Sequence, residues 1–312
     1  MKKDRIAIID CGTNTFHLLI ADISGGHPVF LHQERRAVRI GKGGISKGSI
    51  TDEAAQRALN TLGEFAVLAK NNHADKILAF ATSAFRSAGN GKELAGRIYD
   101  ETGIDLQIID GAEEAELIYT GVRNALKDIE DAILVLDIGG GSVEFIIGAG
   151  NDILWKKSYE IGAQRLIDMF YQEDPIRGES VHAIHAYLDE KLQDLAAAIN
   201  TFKPKILVGS SGSFETLSDM YMEAGGIDPI SESELPLTAE AFQSLLVKLT
   251  SLPREERMKI PGMIEMRVDM IVVASVLIDH LITMMQPVQL RISTYALKEG
   301  VLFRWLKHNK TN

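Results

Sequence analysis

The sequence predicts an α/β protein made of two related domains with a cleft between them. Three observations lead to this prediction. Strand-like and helix-like segments alternate along the chain, one strand–turn–strand segment occurs twice, and small or polar residues follow several strands. Strands that alternate with helices favour a mostly parallel sheet covered by helices. A chain of 312 residues has a length typical of two domains.

The repeated segment is the strongest of these observations. Ile8–Ile20 aligns with Val135–Ile147 without a gap, so that Asp10 corresponds to Asp137 at an offset of 127 residues. Each copy has an apolar strand, an aspartate, a turn of small residues and a second apolar strand, which is typical of a buried hairpin. Two copies about one domain length apart indicate a duplicated domain rather than a solenoid, whose repeats are shorter and more numerous.

The remaining segments continue the alternation. Asp52 and Glu53 after Thr51 indicate a capped helix start. In the first half we then expect a strand at Lys76–Thr82, a helix at Lys92–Thr102, a strand at Asp105–Ile109 and a helix at Ala112–Leu126. In the second half we expect helices at Ala163–Tyr171, Glu179–Phe202, Ala239–Leu249, Gly262–Leu281 and Thr294–Lys307, and strands at Lys205–Val208 and Val288–Ile292.

These elements divide the chain into an N-terminal domain at residues 1–127 and a C-terminal domain at residues 128–312. No low-complexity linker separates them, so we interpret the boundary as a hinge rather than a tether. The sequence leaves open whether the last helix, at about residues 297–309, packs on the first domain.

Composition and charge exclude several classes of protein. The chain has 33 lysines and arginines against 43 aspartates and glutamates, a net charge of −10, with 46% apolar and 24% charged residues. This apolar content excludes wholesale disorder. An acidic chain lacks the broad positive field that non-specific nucleic-acid binding requires, so we expect no nucleic-acid partner. Cys11 is the only cysteine, which excludes an intramolecular disulfide.

The sequence also predicts a soluble, cytoplasmic protein without a membrane partner. Met1–Asp10 has no apolar core of the kind found in signal peptides. The longest apolar run near the end, Met270–Ile278, stops at Asp279, well short of a membrane span.

Small or polar residues directly follow five of the predicted strands. Ligands of open α/β sheets bind in the crevice outside the carboxyl ends of the strands, and consecutive backbone N–H groups in glycine-rich turns cradle anions. Two such turns, one from each domain, could face each other and hold neighbouring phosphates. The five segments are Asp10–Thr15, Thr82–Arg86, Asp110–Glu114, Asp137–Ser142 and Gly209–Ser213.

Acidic side chains near the repeated turns suggest a metal site. Glu144 interrupts an apolar strand, and because strand side chains alternate, it shares a face with Ser142. Mg²⁺ takes oxygen ligands, usually one or two carboxylates together with phosphate and water. Asp10, Asp137 and Glu144 fit that role, although Asp10 could instead cap its own turn.

Further charged residues are candidates for catalysis or substrate binding. Glu113 and Glu114 open a helix, where either could be a general base or simply an acidic residue favoured by the helix dipole. The guanidinium of Arg86 suits bidentate phosphate contacts, but an exposed surface arginine is the alternative. The basic segment Arg35–Lys47, which includes Arg39, could attract a polyanion or form a solvated loop.

Several other chemistries lack their motifs. The sequence contains no P-loop, and no Gly-x-Ser-x-Gly nucleophile elbow directly follows a predicted strand. Cys11 has His17, not arginine, six positions on, which argues against a thiolate phosphatase. Glu179, His182 and His185 share a helix face as metal ligands could, but without a partner motif we interpret them as a solvated face.

Taken together, the motifs resemble those of the exopolyphosphatase/guanosine pentaphosphate phosphohydrolase family of the actin and sugar-kinase superfamily, over nearly the whole chain. Lys298 stands where that family usually has arginine, and Ala296 where glycine is common. The resemblance implies two ribonuclease H-like domains, the short two-domain form of the family, and a homodimer. The matching segments are Ile9–Thr15, Thr82–Asn90, Gly111–Ala115, Asp137–Glu144, Gly209–Ser213 and Ala296–Leu302.

The resemblance also implies an activity, the metal-dependent hydrolysis of terminal orthophosphate from inorganic polyphosphate with Mg²⁺ or Mn²⁺ as cofactor. It implies Glu114 as the base, Arg86 as a second catalytic residue that holds phosphate, and Asp137, Glu144 and Asp10 as the metal site. The expected phosphate-binding residues are Gly12, Thr13, Asn14, Thr15, Arg39, Asn90, Gly139, Gly140, Gly141, Ser142, Gly209, Ser211, Gly212 and Ser213.

Other functions remain open at this point. The nearest is hydrolysis of the 5′ γ-phosphate of guanosine pentaphosphate on the same fold. A small-molecule kinase or ATPase of the same superfamily is a second alternative, and a sensor that binds nucleotide or polyphosphate without turnover is a third.

Overall fold

The computed structural model of the protein describes residues 4–25, 27–126, 128–228 and 233–309, which form two α/β halves. The first half contains β1 (Arg5–Cys11), β2 (Phe16–Asp22), β3 (Val29–Arg36), a 3₁₀ helix (Ile45–Lys47), α1 (Asp52–Asn71), β4 (Lys76–Ala81), α2 (Ser83–Ser87), α3 (Gly91–Thr102), β5 (Leu106–Ile108) and α4 (Gly111–Ala125). The second half contains β6 (Ile133–Ile138), β7 (Val143–Ala149), β8 (Asp152–Tyr159), α5 (Ala163–Phe170), α6 (Gly178–Lys191), α7 (Gln193–Phe202), β9 (Ile206–Ser210), α8 (Gly212–Gly225), β10 (Glu234–Leu235), α9 (Ala239–Ser251), α10 (Arg254–Arg257), α11 (Met270–Met285), β11 (Gln289–Ser293) and α12 (Leu297–Asn309).

Each half is built on a mixed sheet, and the two sheets have the same topology. The first has the strand order β3-β2-β1-β4-β5, with β1 antiparallel to β2 and parallel to β4. The second has the order β8-β7-β6-β9-β11, with β10 added at its edge, and β6 is antiparallel to β7 and parallel to β9. This duplicated order is that of the ribonuclease H-like fold, so the predicted fold class is confirmed.

The strand register extends the sequence repeat into three dimensions. Asp10 pairs with His17 across β1 and β2, and Asp137 pairs with Glu144 across β6 and β7. Because directly opposed residues of an antiparallel pair project to the same face, the Asp137 and Glu144 side chains lie side by side. The equivalent position in the first half holds His17 in place of a glutamate.

Buried side chains form three apolar clusters. One lies under α1 and α3 of the first half, and one lies between the second sheet and α11. The third contains residues from both sheets and from α4 and α12, so the two halves share this apolar cluster. The last helix, α12, packs on α4, β1 and β2. The boundary predicted between residues 127 and 128 stays a prediction, and Lys127 lies outside the described residues.

Two predicted helices have different bounds in the structure. The helix predicted at Glu179–Phe202 is broken into α6 and α7, because Leu192 leaves helical geometry with φ −104° and ψ 20°. The helix predicted from Gly262 begins only at Met270. Gly262 has a φ of +84°, which a right-handed helix does not allow.

Three strands were missed by the sequence analysis, namely β3, β8 and the two-residue β10. All three lie at a sheet edge. The side chains of β3 and β8 are exposed or only partly buried over most of their length, so neither strand has the apolar run of a buried strand. The basic segment Arg35–Lys47 was expected to be a loop, but its first two residues end β3 and its last three form the 3₁₀ helix. No helix among the described residues is both long and apolar enough to cross a membrane.

Candidate active site

The two repeated turns face each other across a cleft between the halves. Both are closed in the same way, since Gly12 N donates to Thr15 O over 3.1 Å and Gly139 N donates to Ser142 O over 3.0 Å. They approach closely, because a Cβ placed on Gly140 would lie 2.4 Å from Nδ2 of Asn14.

Most of the predicted site residues line this cleft, although they come from four separate parts of the sequence. They are Asp10, Gly12, Thr13, Asn14, Thr15, Glu114, Asp137, Gly139, Gly140, Gly141, Ser142, Glu144, Ser211 and Gly212. The strands end at the cleft in both halves, which brings together turns that are more than a hundred residues apart.

Three predicted phosphate ligands lie elsewhere. The side-chain amide of Asn90 is hydrogen-bonded to the Ile50 backbone. Its Oδ1 accepts from Ile50 N over 2.9 Å, and its Nδ2 donates to Ile50 O over 2.8 Å. Ser213 is buried within α8, and Gly209 is buried in β9. Neither of these two residues lines the cleft. Their predicted roles stay predictions, and the geometry gives Asn90 a structural contact instead.

Arg39 also lies outside the cleft. It lines a neighbouring pocket together with Lys42, and this pocket shares Asn14 and Thr15 with the cleft. The Arg39 backbone N–H donates to Asn14 O over 2.8 Å. A substrate that extends beyond the cleft could reach Arg39 through this pocket.

Five carboxylates line the cleft, those of Asp10, Glu114, Asp137, Glu144 and Glu215. Glu114, Asp137 and Glu144 are 6%, 6% and 1% exposed, and Asp10 is partly buried. Loss of water raises the pKa of Asp10 to about 7 and raises the pKa of Asp137. Burial, together with the charges of Glu114 and Asp137, holds the pKa of Glu144 well above its usual range. So many crowded carboxylates favour the presence of a cation.

Serine hydroxyls orient two of these carboxylates. Ser211 Oγ donates to Oδ2 of Asp137 over 2.7 Å, and Ser158 Oγ donates to Oε1 of Glu144 over 2.7 Å. Such contacts to metal-binding carboxylates are typical of metal sites.

The donor set fits a hard divalent cation. Within the described ranges no group of three or more His, Cys, Asp or Glu side chains could hold a metal ion by itself. Mg²⁺ does not need such a cage, because it usually takes one or two carboxylates and completes its shell with water and phosphate. Asp137 and Glu144, with Asp10 nearby, supply oxygen ligands of this kind.

Glu113 and Glu114 point in different directions. Asp110 caps α4 by accepting from the Glu113 N–H over 2.8 Å, which places both glutamates in the first turn. The Glu113 carboxylate accepts from Arg304 Nη2 of α12 over 2.8 Å, whereas Glu114 is buried in the cleft wall. Glu114 is therefore the one of the two that can reach a bound ligand.

Arg86 lies behind Glu114 and not on the cleft wall. Its Nη1 donates to Glu114 Oε2 over 2.9 Å and to Ile109 O over 3.1 Å. Burial raises the pKa of Glu114 to about 8, and the guanidinium of Arg86 opposes that rise. A carboxylate with a pKa near neutrality is well matched to general base catalysis.

The sequence analysis missed the cations of the cleft. Arg267 and Lys298 line it, and Lys298 Nζ lies 2.8 Å from Glu299 Oε1. Arg267 Nε and Asn14 Oδ1 are buried and have no hydrogen-bond partner among the described residues, as expected where a polar ligand binds. Lys298 could have been identified from the sequence, because it stands where the resembled family usually has arginine. Arg267 lies inside a segment that was predicted to be a helix, and no motif marks it.

Comparisons with known proteins agree with this geometry. The sequence matches the Ppx/GppA phosphatase family over residues 19–309. It is 30% identical over 305 residues to exopolyphosphatase 1 of Mycobacterium leprae, covering 97% of this chain and 89% of that one. It is 28% identical over 316 residues to exopolyphosphatase 2 of Mycobacterium tuberculosis, covering 96% and 98%.

Solved structures show the same similarity. A crystal structure of an exopolyphosphatase from Cytophaga hutchinsonii is 47% identical, with a TM-score of 0.94 over 98% of both chains. A Ppx/GppA family member from Aquifex aeolicus is 26% identical, with a TM-score of 0.81 over 99% of both chains.

Proposed function

Because this chain belongs to the Ppx/GppA phosphatase family, we propose that it is an exopolyphosphatase that releases orthophosphate from the end of inorganic polyphosphate. The exopolyphosphatases among its relatives support this substrate. The observation that carries the proposal is the position of Glu114, a buried carboxylate in the wall of a cleft between two anion-binding turns.

The turns would hold the phosphates. Gly12–Thr15 and Gly139–Ser142 offer backbone N–H groups and hydroxyls from opposite sides. Lys298 and Arg267 add positive charge at the same cleft, although the chain as a whole is acidic. Phosphoryl transfer depends mainly on positioning and on neutralising charge, and these groups supply both.

Glu114 would act on the attacking water. Its carboxylate accepts a proton while the water oxygen bonds to the terminal phosphorus and the anhydride P–O bond breaks. The electron pair of that bond stays on the shortened polyphosphate, whose new charge the turns stabilise. Arg86 keeps the Glu114 side chain in place and favours its ionised form.

Asp137 and Glu144, with Asp10 nearby, would bind Mg²⁺ or Mn²⁺. When bound, such an ion supplies neutralisation of phosphate charge. Ser211 and Ser158 hold the two carboxylates in position by the hydrogen bonds described above. The crowding of buried carboxylates supports this assignment.

A second candidate substrate is guanosine pentaphosphate. A chamber beside the cleft shares His17, Glu215, Thr294 and Lys298 with it. The Phe30 and Tyr295 rings in its wall lie 5.6 Å apart, and such rings suit packing against a base. A nucleoside attached to the phosphates therefore has a place to bind.

We also propose a cytoplasmic homodimer with no nucleic-acid or membrane partner. The net charge of −10 supports the absence of non-specific nucleic-acid binding. Sedimentation of the purified chain tests the dimer, and a single-chain mass would contradict it.

The proposal is tested by measuring phosphate release with Mg²⁺ from polyphosphates of several lengths, guanosine pentaphosphate and ATP. We expect release from polyphosphate, with a lower rate or none from ATP. ATP consumption that needs a small acceptor would indicate a kinase. Binding of polyphosphate without release would indicate a sensor, and either result would contradict the proposal.

A further inference from the structure

The carboxylate of Glu160 lies where three donors from both halves converge. Ser83 Oγ donates to Oε2 over 2.9 Å, and Arg165 Nη2 donates to the same oxygen over 2.6 Å. Arg86 Nη2 lies 3.4 Å from Oε1. Ser83 and Arg86 belong to α2 of the first half, whereas Arg165 belongs to α5 of the second, so the carboxylate bridges the two halves.

The same donors also contact the residues of the proposed reaction. The second terminal nitrogen of the Arg86 guanidinium, Nη1, donates a hydrogen bond to Glu114 Oε2. Arg165 Nε donates to the Gly141 carbonyl of the second repeated turn over 2.9 Å. Ser83 Oγ lies beside this turn, since a Cβ on Gly141 would be 2.5 Å from it. The convergence point is therefore adjacent to the place where the terminal phosphate would react.

Burial distinguishes the donors from the group that they hold. Ser83 is 1% exposed, and the side chains of Arg86 and Arg165 are 21% and 19% exposed. The Glu160 side chain is 45% exposed. The donors are thus held in the protein, while the Glu160 side chain is open to water and can leave if another anion takes over its contacts.

Two guanidinium groups and a hydroxyl around one anion form a donor set that suits phosphate as well as carboxylate. We propose that Ser83, Arg86 and Arg165 form a phosphate subsite and that Glu160 occupies it in the free protein as a tethered competitor. The inference rests on the proposed function, because the phosphate next to the one under attack would displace Glu160. Competition lowers the apparent affinity in proportion to the fraction of protein in which the subsite is open.

The test measures binding of tripolyphosphate by calorimetry in a Glu114→Gln background, where turnover is suppressed. Adding Glu160→Gln should tighten the dissociation constant about tenfold, as expected if Glu160 fills the subsite in about nine molecules of ten. Glu101→Gln is the matched control, because Glu101 is 53% exposed on α3 and pairs only with Arg97 among the contacts described. It removes the same charge and should change the dissociation constant less than about twofold.

Arg165→Gln tests the donor side of the subsite. It should weaken tripolyphosphate binding about tenfold, and it should cancel most of the gain from Glu160→Gln when the two are combined. If Glu160 only bridges the halves, Glu160→Gln will lower the melting temperature without tightening binding, and that result would overturn the proposal.

The subsite can still be tested if the Glu160→Gln variant does not fold or if the chain shows no turnover. If Glu160→Gln does not fold, Glu160→Asp keeps the charge on a shorter side chain and should still tighten binding, and unchanged or weaker binding would overturn the subsite. If the wild-type chain releases no phosphate from polyphosphate, the proposed function is wrong. The subsite is still tested, because the dissociation constants of tripolyphosphate for the Glu160→Gln and Glu101→Gln variants can be compared without turnover.

Discussion

The Arg86 guanidinium donates a hydrogen bond of 2.9 Å to Oε2 of Glu114, so the proposed base rests against a permanent positive charge. Burial raises the pKa of Glu114, and the charge and hydrogen bond of Arg86 lower it. The balance leaves the pKa of Glu114 at about 8, within the range in which the carboxylate can both lose and accept a proton.

Glu114→Gln should reduce phosphate release about 10²–10⁴-fold, the usual contribution of a general base. The amide keeps the size of the side chain and an acceptor for Arg86, so folding should be preserved. Steady-state phosphate release measures the loss, and circular dichroism on heating verifies the fold. Turnover within a few-fold of wild type would remove Glu114 from the mechanism.

The pH dependence should follow the ionisation of Glu114. Because the ionised form is the base, kcat/KM should rise as pH increases through the pKa of Glu114, about 8. Arg86→Gln removes the charge that favours ionisation, so the rising limb should move to higher pH. Arg86→Lys should move it less. A pH profile of kcat/KM with an unchanged limb in Arg86→Gln would contradict the coupling.

Gly162→Ala should disturb the second repeated turn. A Cβ on Gly162 would lie 2.5 Å from the Gly140 carbonyl carbon, so the turn must shift. We expect kcat/KM for polyphosphate to fall at least about tenfold, since small displacements of phosphate-positioning groups are costly. Gly178→Ala, in open space at the start of α6, is the control. Equal activity of both variants would show that the turn tolerates the shift.

Gly300→Ala should separate α12 from α4. A Cβ at this position would lie 1.8 Å from the Leu117 carbonyl oxygen, and neither backbone can move without opening the apolar cluster between the halves. We expect the free energy of unfolding to fall by about 1–3 kcal/mol. Gly63→Ala meets nothing within 4 Å on α1 and should gain about 0.5–1 kcal/mol. Urea denaturation compares the two, and a neutral Gly300→Ala would show that the helices can part.

Local patterns were sufficient to predict much of the site. The duplicated hairpin, its aspartates and the glutamate of its second strand follow from residue type and from the two-residue period of a strand, and the register places Asp137 opposite Glu144 as that period requires. The Thr51 cap was likewise predicted, because capping involves neighbours within one turn.

The sequence by itself determined which residues lie at strand ends, and hence which turns and carboxylates could meet a ligand. Only the tertiary structure decided that Glu113 turns to Arg304 while Glu114 faces the cleft, that Arg267 and Lys298 join it, and that Glu160 reaches across to α2. The reason is that strand and helix periods are set over a few residues. Contacts between the halves depend instead on how α4 and α12 pack between two sheets, which no local pattern records.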